Sequence, residues 1–118
     1  MAGADRLQLV RDCFRAYETN DPSALETHLA PDFEFFSPPD PGIDRAAYFE
    51  RCWANASLID SFDLVRLRAL GDDEVLVTYE STKSDGRRLR NTEIFTFAGD
   101  RVRRVEVYFG WDLPAARP

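Results

Sequence analysis

Leu7, Val10, Cys13, Phe14 and Tyr17 recur at intervals of three and four residues, the spacing that lines one side of a helix with apolar groups, and the pattern stops at Asn20-Asp21-Pro22. A first helix is predicted there. Asp21 can cap a second, short helix, whose first turn suits Pro22 and whose apolar side comes from Leu25 and Leu29. In "DFEFFS", residues 32 to 37, the period shortens to two, which predicts a strand with Phe33, Phe35 and Ser37 on one face and Glu34 and Phe36 on the other. "PPDPG" stops it. Asp44 then caps a third helix over "RAAYFERCWANA", in which Ala46, Phe49, Trp53 and Ala56 form one side with Tyr48 and Cys52 beside them.

The rest of the chain alternates. "FDLVRLRAL", "EVLVTYEST", "RLRNTEIFTF" and "RVRRVEVYF" are separated by "GDD", "KSDG" and "AGD", the short polar punctuation of successive hairpins. Three helices against a curved, antiparallel sheet make an α+β arrangement. At 118 residues this is one domain over 1–118, with a core of about residues 5–112 and "LPAARP" as a short tail.

"KSDGR" orients the two central strands. If Ser84-Asp85 form a type I turn and Gly86 is left-handed, the loop has three residues with a bulge, and Lys83 faces Arg87. Counting back pairs Glu80 with Arg90, Tyr79 with Asn91 and Val77 with Glu93. Val75, Val77 and Tyr79 then share a face with Asn91, Glu93, Phe95 and Phe97, and Glu80–Arg90 becomes an exposed cross-strand ion pair. A two-residue turn reverses this facing, because one residue of slip flips every side chain. The bulged loop is preferred because it gathers the apolar residues together.

That choice places one acid, Glu93, in an otherwise apolar strand interior, with no arginine or lysine at a neighbouring inward position. A carboxylate there is costly unless paired, protonated or in contact with a ligand. Its pKa should rise, making it an acid or base of the kind used on carbonyl compounds.

Composition narrows the partners. With 21 acidic against 15 basic residues the net charge is -6, which repels a phosphate backbone, so no nucleic-acid role is expected. No stretch is apolar and long enough for a signal peptide or membrane span, which predicts a cytoplasmic protein with no membrane role. Cys13 and Cys52 lack metal-ligand spacing and read as small core residues, and the single histidine, His28, reads as a surface group. No metal or cofactor is implied.

A long helix, then "NDPSALETHLAPDFEFFSP", a third helix, and four strands ending in "VEVYFG" resemble the nuclear transport factor 2 superfamily over about residues 5 to 112, in its branch of SnoaL-like polyketide cyclases and ketosteroid isomerases. The resemblance implies a cone-shaped α+β barrel, with a mostly antiparallel sheet curled around three helices and a deep apolar pocket on its concave face. It also implies homodimers through the outer sheet face, here carrying Leu76, Ile94 and Tyr108. Laid on this chain, the isomerases' oxyanion-hole acid falls at Glu93, their base at Ser37 and their oxyanion-hole tyrosine at Cys13, so only the first position keeps a suitable group. The aspartate–arginine–aspartate set of the superfamily's epoxide hydrolases is not evident.

The expected function is therefore a cofactor-independent isomerase, cyclase or lyase that uses Glu93 on an apolar carbonyl compound. Tyr17, Trp53, Tyr79 and Asn91 would orient that compound, and Phe33, Phe35, Phe49 and Phe109 would line its pocket beside Cys13 and Ser37. The alternatives are a non-catalytic module binding a small hydrophobic molecule, and a structural dimerisation domain.

Overall fold

A computed structural model describes residues 3–53 and 59–115. Helix α1 spans Gly3–Glu18 and α2 Pro22–His28; strands β1, Leu29–Ser37, and β2, Asp40–Asp44, precede α3, Arg45–Cys52. Four long strands follow: β3 Ile59–Leu70, β4 Glu74–Lys83, β5 Arg88–Ala98 and β6 Arg101–Leu113. They form one six-stranded sheet in the order β2-β1-β6-β5-β4-β3, antiparallel except where β1 runs parallel to β6. The architecture is α+β, with a curved, open and mostly antiparallel sheet. None of the described helices is long and apolar enough to cross a membrane.

The predicted caps are present. Asp21 accepts from the Ala24 amide at 3.2 Å and Asp44 from the Ala47 amide at 2.9 Å, each satisfying a first-turn donor that the helix itself cannot. Two elements depart from the expected pattern. Leu29 opens β1 rather than closing α2, because Pro31 cannot continue a helix and holds the preceding residues extended; Leu29 is still core, at 2 % exposure. "DPGID" does not merely end β1 but returns along it as β2, with Ser37 opposite Asp40. Pro41 is tolerated because β2 is an edge strand and its missing N–H leaves no central ladder unpaired.

Helix α3 buries Tyr48 most deeply, a residue expected beside its apolar side, while Phe49 and Trp53 of the expected side pack partly buried against the core. Tyr48 is its buried residue, Cys52 lies one turn on, and Ala46 is exposed; Ala56 lies outside the described residues. Phe49 and Trp53 pack at the flank, Phe49 under the Arg45 guanidinium and Trp53 on the Tyr17 ring at 4.6 Å with its indole N–H on Asn20. An amphipathic indole with a polar atom to satisfy suits that partly wet helix–helix seam.

The hairpin between β4 and β5 forms as read. Lys83 and Arg87 exchange a backbone bond, Gly86 has φ +87°, and Val77, Tyr79 and Glu80 face Glu93, Asn91 and Arg90. Only glycine accepts that φ without strain. Glu80 is less exposed than expected, being clamped by both Arg88 and Arg90 at 3.2 and 2.5 Å. The core that results joins Val10, Cys13 and Phe14 of α1 and Phe33 of β1 to Val75, Val77, Phe95, Val102 and Val105 of the sheet.

Candidate active site

Between the inner sheet face and the helices lies a cavity of about 330 Å³. Glu93 is one of its walls, flanked in the sheet by Val77 of β4 and Val107 of β6. Its residual accessibility belongs to the cavity surface, and by depth the carboxyl is interior. Loss of water pushes its pKa up from 4.5 to about 7, against a smaller opposing effect of the hydrogen bond from Tyr79. No lysine, arginine or histidine among the described residues forms an ion pair with it.

A directed chain of hydrogen bonds holds one carboxyl oxygen. The Gly110 amide donates to Asn91 Oδ1 at 3.1 Å, Asn91 Nδ2 donates to the Tyr79 hydroxyl at 3.4 Å, and that hydroxyl donates to Glu93 Oε2 at 2.6 Å. The Tyr79 proton is thereby fixed, burial and the adjacent carboxylate raising its pKa. Glu93 Oε1 has no hydrogen-bond partner among the described residues and is the oxygen left to exchange a proton with a ligand.

The chain starts at a bulge where β6 passes Arg90 and Asn91, and a Cβ on Gly110 would sit 2.1 Å from the Arg90 carbonyl oxygen. Backbone, unlike a side-chain tip, cannot step aside. Gly110→Ala should therefore cost about 1–3 kcal/mol and loosen Asn91 and Tyr79; thermal unfolding and the Asn91 amide resonance would register both changes, and an unchanged melting point would count against the close approach.

Tyr17 of α1 and Tyr48 of α3 meet hydroxyl to hydroxyl beside the same cavity. Two phenols carry two protons and their mutual bond uses one. The second has no acceptor among the described residues and is available to a ligand oxygen. Burial raises both pKa values well above the phenol range, so both groups stay protonated donors.

Of the residues singled out from sequence, Cys13, Tyr17, Phe33, Phe35, Ser37, Tyr79, Asn91, Glu93 and Phe109 all line the cavity. Phe49 and Trp53 do not, because α3 presents Tyr48 and Cys52 instead. Burial pushes Cys13 up to about 12 and Cys52 up to about 11, so both are inert thiols. Residues missed from sequence include Phe62, from the start of β3, and the Asp40–Arg51 pair at 2.7 Å. Lys83 also lines the cavity, so inward cations do exist, although neither Lys83 nor Arg51 pairs with Glu93. Asp40 and Arg51 are at ion-pair distance without hydrogen-bond alignment. A charge at the edge strand and one on a short helix gave no periodic signal. Among the described residues, no His, Cys, Asp or Glu cluster has the form of a metal site.

Residues 10–105 match the family described as SnoaL-like domain. A SnoaL-like protein of unknown function from Burkholderia thailandensis is 23% identical with TM-score 0.72, over 93% of this chain and 98% of that one. A candidate ketosteroid isomerase from Kribbella flavida is 21% identical with TM-score 0.75, over 98% and 82%. A candidate polyketide cyclase from Sinorhizobium meliloti is 23% identical with TM-score 0.72, over 86% and 94%. At these identities the likeness is one of fold. No curated protein matches the chain.

Proposed function

The chain belongs to the SnoaL-like domain family, and from that premise we propose that it is a cofactor-independent isomerase, cyclase or lyase acting on an apolar carbonyl compound. The observation that carries the reading is Glu93: an acid inside an apolar cavity, with one oxygen fixed by Tyr79, the other free, and a pKa of about 7. That value suits an acid or base working near neutral pH, which takes a proton and returns it. As carboxylate, Glu93 removes a proton from the carbon next to the carbonyl. The Tyr17–Tyr48 pair, in the same cavity lining, supplies its spare hydroxyl proton to the developing enolate oxygen, and protonated Glu93 returns the proton to the same or another carbon.

Exchange of the α-protons of 2-tetralone for deuterium, followed by proton NMR in heavy water, tests the step without knowledge of the natural substrate. Catalysed exchange above the buffer rate supports the reading; exchange at the buffer rate for 2-tetralone and for larger fused-ring ketones counts against it.

A second reading is a binding module for a small hydrophobic molecule. It is favoured by Ser37, which stands where the isomerases place a base and lies in the cavity without a partner carboxylate, since Asp40 is paired with Arg51.

The outer sheet face supports a homodimer. Tyr108 and Trp111 are 50% and 63% exposed there, and Leu76 and Ile94 are half-buried between them and the charged rows. Light scattering at micromolar concentration should give twice the monomer mass, and Trp111→Arg with Tyr108→Arg should return it to one; a wild-type monomer would contradict the proposal.

A further inference from the structure

We infer that the cavity also takes an organic ammonium ion, held between the free oxygen of Glu93 and the aromatic rings around it. This ligand class is independent of the proton-transfer reading. A buried carboxyl group without a protein counter-cation either keeps its proton or, once ionised, is an incomplete pair that a cation carried in by the ligand completes. The surrounding walls suit such a cation better than they suit an anion. Phe14, Phe62 and Tyr79 form a cluster with centroids 4.9, 4.9 and 5.5 Å apart, and their planes cross at 58–79°, exposing ring faces in more than one direction. Tyr48 stands with Phe33 and Phe35 at 5.1 and 5.0 Å in the same lining. Ring faces carry negative electrostatic potential and attract ammonium groups once water is excluded.

The other ionisable groups of the lining leave this balance intact. From α1 come Cys13 and Tyr17, and from α3 Tyr48 and Cys52, all protonated and neutral near pH 7 because burial raises their pKa. From β4 comes Tyr79, a neutral donor to Glu93. Arg51 is opposed by Asp40 at 2.7 Å. Lys83 ends β4, six residues beyond the Val77 that faces Glu93, or ~20 Å of strand. Among the described residues, Glu93 is thus the lining carboxyl with no cation paired to it, while Arg51 is taken up by Asp40 and Lys83 stands far along its strand.

A matched series on one ring system provides the test: 2-aminotetralin, protonated across the working range, against 2-tetralol and tetralin-2-carboxylate, each measured by calorimetry at pH 8 and pH 5.5. The ammonium should bind at least tenfold tighter than the alcohol at pH 8, and the carboxylate weakest. That preference should shrink at pH 5.5, where Glu93 holds its proton, and vanish in Glu93→Gln. Equal or tighter binding of the alcohol or carboxylate at pH 8 overturns the inference, as does a preference that persists in a folded Glu93→Gln protein. Because the pH comparison uses the unaltered chain, it decides the matter even if the variant misfolds. Ammonium preference without tetralone exchange would remove the enzyme reading alone, and exchange without ammonium preference would remove this inference alone.

Discussion

Glu93→Gln should abolish tetralone exchange by two to four orders of magnitude while leaving the fold intact and more stable at pH 8. The glutamine amide keeps the shape and can still accept from the Tyr79 hydroxyl, so the chain from Gly110 through Asn91 to residue 93 survives. It cannot carry a proton. The stability change follows from the raised pKa. Below pH 4.5 both native and unfolded chains hold the Glu93 proton, and the group contributes no slope. Between about 4.5 and about 7 the unfolded chain releases it and the native chain does not, so stability falls as pH rises; above about 7 the loss is complete. The span corresponds to on the order of 3 kcal/mol. Urea titrations of both proteins at pH 5 and pH 8 should show their difference in stability growing with pH in favour of the glutamine variant, and a pH-independent difference would contradict the account.

Phe33→Ala should lower stability by about 4 kcal/mol, and the melting temperature by on the order of 15 °C. Phe33 is 1% exposed, projects from β1 into the floor of the cavity and packs edge-on against Tyr48 at 5.1 Å. Removing its ring loses both the transfer energy of the side chain and the contacts of its neighbours, which a strand fixed between β2 and β6 cannot close in to replace. Phe109 supplies the contrast. It lines the same cavity but is 59% exposed, so Phe109→Ala should cost under about 1 kcal/mol. Equal effects at the two positions, read from denaturant midpoints, would show that the interior is placed wrongly.

The facing of Glu93 could be read from the sequence because turn chemistry and apolar alternation agree there. Gly86 specifies the loop, the loop specifies the register, and the register sets the inward side of both strands. Strand β2 was hidden for the opposite reason, since Pro41 and Gly42 are turn-forming residues used on an edge, where the lost ladder bond is harmless. Which residue of α3 lies deepest is not legible in the sequence, because both of its sides are aromatic. In an eight-residue helix, contacts with Tyr17, Phe33 and Phe35 set Tyr48 deeper than Phe49. The Gly110 approach and the Asp40–Arg51 pair arise from tertiary placement, with no local pattern to mark them. The prediction of an interior acid without an opposite charge holds for Glu93 itself, although the strand facing alone could not exclude Arg51 and Lys83 from the wider lining.

The proposed proton transfer and the ammonium preference both depend on the protonation of one carboxyl group, that of Glu93. Carbon-13 detected titration of the protein labelled at glutamate side chains, with Glu93→Gln to assign the resonance, measures it directly. Glu93 should titrate near pH 7, apart from the exposed glutamates. A Glu93 carboxyl titrating at or below 4.5 would contradict the account, because such a group is solvated or paired and is ionised throughout the neutral range.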